Sequence, residues 1–287
     1  MSTLQVDGRT VHYRDTGDGP PVLLLHGIMR SLDDWTEQHA LLAGHRVISL
    51  DLAGFGESDP LPGRTTLPPL ADHVLAFLDA LGETRPMHVI GNSLGGAVAM
   101  LLSLRRPDRV RSLVLVASAG FGREVTVALR ILAVRPLGRL LLRPSRTAAY
   151  RAERAIFRDR RYVTDERVTR GYTLAGRPHG ARVMLELSRS LGTIRGVRRL
   201  WRDAVLRAVA AAPVPTLVVW GSDDLILPAS HLDHAHAALP HVRTQLFADT
   251  GHMPQIERAE EFAELVRTFW VEDVGQGSSP GRAVSSR

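Results

Sequence analysis

The apolar residues of this chain fall into short unbroken runs that are separated by stretches with helical spacing. Runs at 22–25, 46–50 and 87–90 show no polar alternation, which is typical of parallel strands buried on both faces. Between them, residues 70–81 and 94–105 carry apolar side chains at the spacing of an amphipathic helix. Strands and helices that alternate in this way predict a parallel sheet covered by helices on both sides.

The same pattern continues toward both ends of the chain. A strand-like segment at 10–15 closes on the turn cluster Gly17-Asp18-Gly19-Pro20, and residues 111–117 form another buried run. The alternation stops at Gly120 and resumes at Pro213. After that point it predicts a strand at 216–220, a helix at 230–239, a strand at 242–247 and an amphipathic helix at 259–270.

Residues 121–212 differ from the rest of the chain in pattern and in charge. They are mainly helical in pattern and contain no convincing buried strand. They hold 21 arginines and 7 acidic residues, a net charge of +14, so in a protein of net charge +6 the remainder carries −8. We therefore predict a helical cap at 121–212, inserted between core segments 1–120 and 213–274. The Gly/Ser/Pro/Arg-rich residues 275–287 predict a disordered tail.

Composition narrows the class of protein. An apolar fraction of 44% and a charged fraction of 23% in 287 residues are ordinary for a globular domain. The absence of cysteine excludes disulfides, thiolate zinc sites and a cysteine nucleophile. The first residues lack the basic start and apolar run of a signal peptide, and no apolar run is long enough to cross a bilayer, so we expect a cytoplasmic protein.

All of the positive charge comes from arginine, which is typical of GC-rich codon usage. Because only 5% of the residues are aromatic and no recognised module is visible, we expect no nucleic-acid partner. Residues 125–142 mix aliphatic side chains with arginines, and three interpretations stay open. The segment could face a hydrophobic substrate, contact anionic lipid head groups weakly through its arginines, or simply pack on the core with snorkelling arginines.

The segment Gly91-Asn92-Ser93-Leu94-Gly95 lies directly between the predicted strand at 87–90 and the predicted helix at 94–105. This G-x-S-x-G pattern is typical of a nucleophile elbow, a strained strand-to-helix turn that lifts a serine hydroxyl above the sheet edge. Glycines on both sides let the chain and the helix pass closely, because any side chain there would collide. Five residues of this kind recur by chance, but their placement here makes Ser93 the candidate nucleophile.

A serine hydroxyl needs a base to remove its proton, and His252 is the best placed of the 12 histidines. It lies in a loop between the last predicted strand and the last predicted helix. That loop is at the carboxyl edge of the sheet, where ligands of open α/β sheets bind. Asp223 and Asp224 follow the strand at 216–220 and offer a carboxylate to orient the histidine, whereas the strand ending near Ala117 is followed by none.

A second group of histidines invites a metal site. His231, His234, His236 and His241 lie close together with Asp233. Their spacing is not H-E-x-x-H and does not converge on one face of a helix. We interpret them as a solvated helix end.

Together these segments resemble the α/β-hydrolase family, specifically its capped members. The resemblance covers both core segments and leaves the cap unmatched, and it implies a mostly parallel eight-stranded sheet with helices on both faces. The matching stretches are His26-Gly27-Ile28, Asp51-Leu52-Ala53-Gly54-Phe55-Gly56-Glu57-Ser58, Gly91-Asn92-Ser93-Leu94-Gly95-Gly96, Gly221-Ser222-Asp223-Asp224 with Pro228, and Gly251-His252.

The resemblance also implies roles for individual residues. In the family pattern the acid stands three residues after the glycine and four before the proline, which selects Asp224 over Asp223. The chain order Ser, Asp, His matches the family. Main-chain N–H groups of Ile28 and Leu94 would form the oxyanion hole, and His26 would pack beneath that loop. No metal or organic cofactor is implied.

We therefore expect hydrolysis of an ester-like bond in a small or medium hydrophobic substrate, by a monomer or a homodimer. A serine at the nucleophile position disfavours the related haloalkane dehalogenases and epoxide hydrolases, which use a carboxylate. Asn92 and the double glycine also resemble C–C bond hydrolases of ring-cleavage products, but the Gly-Pro-Gly typical of those enzymes is absent at Gly27-Ile28-Met29. An acyltransferase, a perhydrolase and a non-catalytic ligand receptor on the same fold remain as alternatives.

Overall fold

A computed structural model describes residues 1–134 and 137–274, and it contains ten strands within those ranges. The predicted tail at 275–287 lies outside the described residues. The strands are β1 (Ser2–Val6), β2 (Arg9–Thr16), β3 (Pro21–Leu25), β4 (Arg46–Leu50), β5 (Met87–Asn92), β6 (Val110–Val116), β7 (Gly192–Thr193), β8 (Gly196–Val197), β9 (Thr216–Gly221) and β10 (Arg243–Phe247).

Twelve α-helices accompany these strands in the described part of the chain. They are α1 (Thr36–Leu41), α2 (Leu67–Ala80), α3 (Leu94–Arg105), α4 (Val127–Leu132), α5 (Leu137–Leu141), α6 (Arg146–Ile156), α7 (Asp165–Ala175), α8 (Gly180–Leu191), α9 (Arg199–Ala211), α10 (His231–Ala238), α11 (Pro254–Glu257) and α12 (Ala259–Phe269). Short 3-10 turns add Leu32–Trp35, Pro107–Arg109 and Arg160–Tyr162, and a π-turn follows α12 at Trp270–Val274.

Eight of the strands form one sheet in the order β1-β2-β4-β3-β5-β6-β9-β10. Strand β2 runs antiparallel to both of its neighbours, and every other pairing in the sheet is parallel. The predicted fold class, a mostly parallel eight-stranded sheet with helices on both faces and a helical insertion, is confirmed.

The unbroken apolar runs are explained by burial on both faces of the sheet. In β3, Leu23 and Leu25 belong to one buried cluster, which includes side chains of α2 and α3. Their neighbours Val22 and Leu24 point to the opposite face and join a second cluster with α12. Because successive side chains of a strand alternate between faces, a strand covered on both sides must be apolar at every position.

Most predicted elements match the structure to within a few residues, but β1, α1, α11 and the β7–β8 hairpin were not predicted. Strand β1 pairs antiparallel with β2 at the sheet edge, and its first residues are exposed, so it carries no buried apolar run. Helix α1 has only six residues and buries Gln38 in place of an apolar stripe.

The insertion between β6 and β9 contains α4–α9 and the small β7–β8 hairpin. Its last two helices differ from α4–α7, because Val183 and Leu187 on α8 and Val205 and Val209 on α9 are buried in the same cluster as the sheet residues. Helix α9 also packs on α3. The predicted cap boundary at residue 212 therefore lies beyond a helix whose inner face belongs to the core.

The opposite charges of the two segments meet across their interface. Arg158 Nε lies 3.1 Å from Asp223 Oδ1, and Arg167 lies 3.8 Å from Asp34 and 3.6 Å from Glu37. Single exposed ion pairs contribute little, but several in one interface add up and fix the register of the two surfaces. Further pairs across the same interface are Arg170–Asp33, Arg177–Glu57 and Glu153–Arg30.

Within the ranges that the structure describes, no helix is both long enough and apolar enough to cross a membrane.

The packing of α9 can be tested by a pair of substitutions on that helix. Val209 is fully buried, so Val209→Ala should lower the free energy of unfolding by about 2 kcal/mol, through lost burial and an incompletely filled space. Leu200 is 88% exposed at the start of the same helix, and Leu200→Ala should change it by less than about 0.5 kcal/mol. Urea unfolding followed by circular dichroism measures both. Equal effects would contradict the assignment of α9 to the core.

Candidate active site

Ser93 occupies the tight turn that links β5 to α3. Its backbone has φ 53° and ψ −112°, and its N–H donates to the carbonyl of Val116 at 2.9 Å. A Cβ at Gly91 would lie 2.3 Å from the carbonyl oxygen of Gly95, and one at Gly95 would lie 2.2 Å from that of Leu25. The predicted elbow geometry is therefore present, since neither flanking position can carry a side chain without moving main chain.

His252 and Asp224 are joined by a short hydrogen bond. His252 Nδ1 lies 2.7 Å from Asp224 Oδ2, and both side chains are buried. The other oxygen, Asp224 Oδ1, accepts the N–H groups of Ile226 at 2.8 Å and Leu227 at 3.0 Å. Because both oxygens act as acceptors, the imidazole proton resides on Nδ1 and the lone pair is on Nε2.

Asp223 faces away from the histidine, toward the cap. Its carboxylate accepts from Arg158 Nε at 3.1 Å and from Ser222 Oγ at 2.6 Å. The structure therefore places Asp224, the residue selected by the family pattern, against His252. Asp223 lies in the interface between the core and the cap.

Asn92 links the Ser93 turn to the loop that carries His252. Its Nδ2 donates to the carbonyl oxygens of His252 and Val116, each at 3.2 Å. The residue before Ser93 is thus bonded to the main chain of His252, although 160 positions separate them in sequence. Ser93, Asp224 and His252 are at most 7% exposed, so these three side chains are largely shielded from bulk water.

The loop of Gly27 and Ile28 closes over the elbow. A Cβ at Gly27 would lie 3.3 Å from Ser93 Cβ and 3.0 Å from Asn92 Oδ1, so any larger residue would fit tightly against the elbow. Ile28 is the next residue of this loop after Gly27. Leu94 is the first residue of α3, where N–H groups have no intrahelical partner and the helix dipole favours a negative oxygen.

His26 supports this loop from below, as expected. It is fully buried, its Nδ1 lies 2.7 Å from the carbonyl of Gly27, and its Nε2 accepts the N–H of Leu52 at 2.9 Å. Burial lowers the pKa of His26 to about 4, so the ring is neutral and serves as a fixed bridge between two loops.

A cavity of about 320 Å³ lies between the loop that follows Ile28 and the cap. Met29 and Arg30 line it from the core, and Arg167 and Leu174 line it from the cap. The guanidinium of Arg30 is already bound by Asp34 at 2.7 and 2.8 Å and by Glu153 of α6.

The second histidine group differs from its sequence interpretation at one residue. His231 is buried against Trp220, whereas the solvated helix end was expected to expose it. Glu124, His231 and His234 each offer one ligand atom, and these atoms lie within 4.8 Å of one another. This trio is the set of described side chains that could approach a metal ion, and Glu124 and His234 are exposed.

Comparison with known proteins shows the family to which the chain belongs. Residues 20–259 match the sequence profile of the alpha/beta hydrolase fold. The chain belongs to this family. The dihydrolipoyllysine-residue acetyltransferase component of an acetoin cleaving system from Cupriavidus necator is 34% identical over 269 residues, which are 91% of this hydrolase-fold chain and 67% of the relative.

Other relatives of this hydrolase-family chain match it over nearly their full length. A 2-hydroxymuconate semialdehyde hydrolase from a Pseudomonas species is 30% identical over 273 residues, 92% of each chain. The structure of a meta-cleavage product hydrolase from Pseudomonas fluorescens superimposes with a TM-score of 0.80 at 27% identity, and covers 95% of this chain and 98% of its own.

The two adjacent aspartates provide a matched test of the site. Asp224→Asn should lower kcat by about a hundredfold or more, because an amide nitrogen facing Nδ1 favours the wrong imidazole tautomer. Asp223→Asn removes only an exposed interface contact and should leave kcat within about twofold. Steady-state kinetics on a p-nitrophenyl ester measures both, and equal losses would show that the orienting carboxylate is wrongly assigned.

Proposed function

We propose that this chain is a serine hydrolase that cleaves an ester-like bond in a small or medium hydrophobic substrate. The observation that carries the proposal is the His252–Asp224 hydrogen bond of 2.7 Å, in a loop bonded to Asn92, the residue that precedes a serine held in an elbow at φ 53°. Ser93 is the nucleophile, His252 the general base and Asp224 the group that orients it.

The proposed reaction proceeds through an acyl-enzyme. Ser93 Oγ attacks the substrate carbonyl while His252 Nε2 takes its proton, and the N–H groups of Ile28 and Leu94 stabilise the oxyanion. The imidazolium, held by Asp224, then protonates the leaving alcohol as the tetrahedral intermediate collapses. Water repeats the sequence, since His252 removes its proton as it attacks the ester of Ser93, and returns that proton to the serine oxygen as the acid leaves.

Two features support a hydrophobic, uncharged substrate. Ile28 packs both against the main core and against an apolar cluster of the cap formed by Leu132, Met184 and Leu185. The arginine of the same loop, Arg30, is neutralised by two carboxylates, so it offers little net charge to an anionic substrate. On binding, an apolar acyl chain would therefore bury more of the apolar cap surface than a carboxylate would.

A second candidate is C–C bond hydrolysis, which is favoured by the similarity to hydrolases of 2-hydroxymuconate semialdehyde over 92% of both chains. The acetoin-system relative is named for acetyl transfer, which the same three residues would support if a nucleophile other than water accepted the acyl group. All three reactions share attack on a carbonyl carbon and differ in the bond broken or in the acceptor.

The nucleophile can be tested by covalent labelling. A fluorophosphonate probe should label the wild-type protein and should fail to label Ser93→Ala, because the phosphonylated hydroxyl is then absent. Intact-mass spectrometry reports the adduct, and circular dichroism confirms that the variant is folded. A folded wild type that remains unlabelled would argue against a serine enzyme and for a ligand receptor.

The substrate class can be tested by a comparison of turnover. Over a series of p-nitrophenyl esters, kcat/KM should rise with acyl length until the space between the core and the cap is filled, by about tenfold for every two methylenes that become buried. A vinylogous diketone acid of the ring-cleavage type serves as the comparison substrate. Turnover of that acid with little activity on any ester would replace the ester proposal with C–C bond hydrolysis.

A further inference from the structure

The loop that carries His252 is bonded to the cap through its main chain. The N–H of His252 donates to the carbonyl of Ile156, the last residue of α6, at 2.7 Å. A Cβ at Gly251 would lie 2.5 Å from that same carbonyl oxygen and 2.8 Å from the nitrogen of Arg158. The cap thus touches the histidine loop so closely that only a glycine fits beside it.

A single carboxylate binds both sides of this contact. Glu257, at the end of α11, is 5% exposed, and its Oε1 accepts the N–H of Gly251 at 2.7 Å. Its Oε2 accepts the N–H groups of Arg158 at 2.9 Å and Asp159 at 2.8 Å, both in the cap segment that follows α6. All of these hydrogen bonds, as far as the described residues show, come from main-chain donors.

The surrounding contacts make this junction rigid. Phe157 of the cap is buried in one cluster with Met253 and Ile256, which flank the histidine loop and α11. The hydroxyl of Tyr162 donates to the main-chain oxygen of Glu257 at 3.2 Å. Movement of the cap would therefore strip N–H donors from Glu257 and the carbonyl acceptor from His252 in the same step.

We infer that Glu257 is a positioning residue for His252, and that it makes placement of the base depend on the docked cap. This inference rests on the proposed function, in which His252 is the general base. A carboxylate suits this position because it only accepts hydrogen bonds, and bonds to a charged acceptor are stronger than neutral ones. Burial raises the pKa of Glu257 above its ordinary value, while its three main-chain N–H donors stabilise the charged form.

Glu257→Gln is the decisive substitution, because it keeps the size of the side chain and removes one acceptor. In either amide orientation an NH2 group must face at least one main-chain N–H. We expect kcat to fall about ten- to a hundredfold with a smaller change in KM, since the base is displaced while the binding surface remains. Amide hydrogen exchange should accelerate together in peptides covering 156–159 and 249–253.

Glu83→Gln is the matched control. Glu83 is 2% exposed and binds Arg46 and Arg85 near the amino ends of β4 and β5, at the edge of the sheet opposite to Ser93. The substitution also removes a buried, multiply bonded carboxylate, so it should lower the melting temperature. It should leave kcat and both exchange readouts within about twofold of wild type.

A milder variant covers the case in which Glu257→Gln does not fold. Tyr162→Phe removes only the cap hydroxyl that donates to the main chain of Glu257. It should lower kcat by about two- to fivefold and should still accelerate exchange in both segments.

The outcomes separate this inference from the proposed function. It is overturned if folded Glu257→Gln keeps kcat within twofold, if exchange rises in one segment alone, or if Glu83→Gln loses as much kcat. A wild type without esterase activity or fluorophosphonate labelling would refute the serine hydrolase proposal, whereas the exchange measurement would still report whether the two segments move together.

Discussion

The close approach of backbone at the Ser93 turn is the constraint on which the site depends. A residue at φ 53° can be held between strand and helix only if the chain on both sides comes nearer than a Cβ would allow. Gly91 and Gly95 meet that condition, because a Cβ at either position would collide with main-chain atoms of α3 or of the end of β3. The main chain is therefore packed closely around the Ser93 turn.

A second constraint is the seating of the cap. Its helices α8 and α9 bury apolar side chains in the main core, whereas the segment 158–177 docks through ion pairs. In the arginine-rich segment 121–212, the side chains of Arg158, Arg167, Arg170 and Arg177 pair with carboxylates on core loops, so part of its positive charge serves cap docking. Next to His252, the cap is held by main-chain hydrogen bonds and by the buried cluster of Phe157, Met253 and Ile256. Ion pairs thus fix the general placement, and directional bonds fix the part next to the chemistry.

Predictions from the sequence were correct where neighbouring residues by themselves determine the structure. The uninterrupted run in β3 indicates a strand covered on both faces, and the glycine spacing around Ser93 indicates a turn that few other sequences can adopt. They failed where an element depends on contacts with residues far away in the sequence. Strand β1 is held only by pairing with β2 at an exposed edge, and α9 shows its core-facing side only once it lies on α3. His231 likewise reads as polar helix surface until Trp220 packs against it.

By itself, the sequence determined the alternation of buried strands and helices in the core, the strained position of Ser93 and the two neighbouring carboxylates from which an orienting group could come. These follow from side-chain periodicity and from backbone sterics within a few residues. The tertiary structure shows Asp224, which the family pattern had selected, facing His252 while Asp223 binds Arg158. It alone decided that Glu257 bonds to both Gly251 and the cap. Those contacts join segments far apart in the chain, and their geometry exists only after the sheet, the loops at its carboxyl edge and the cap have packed together.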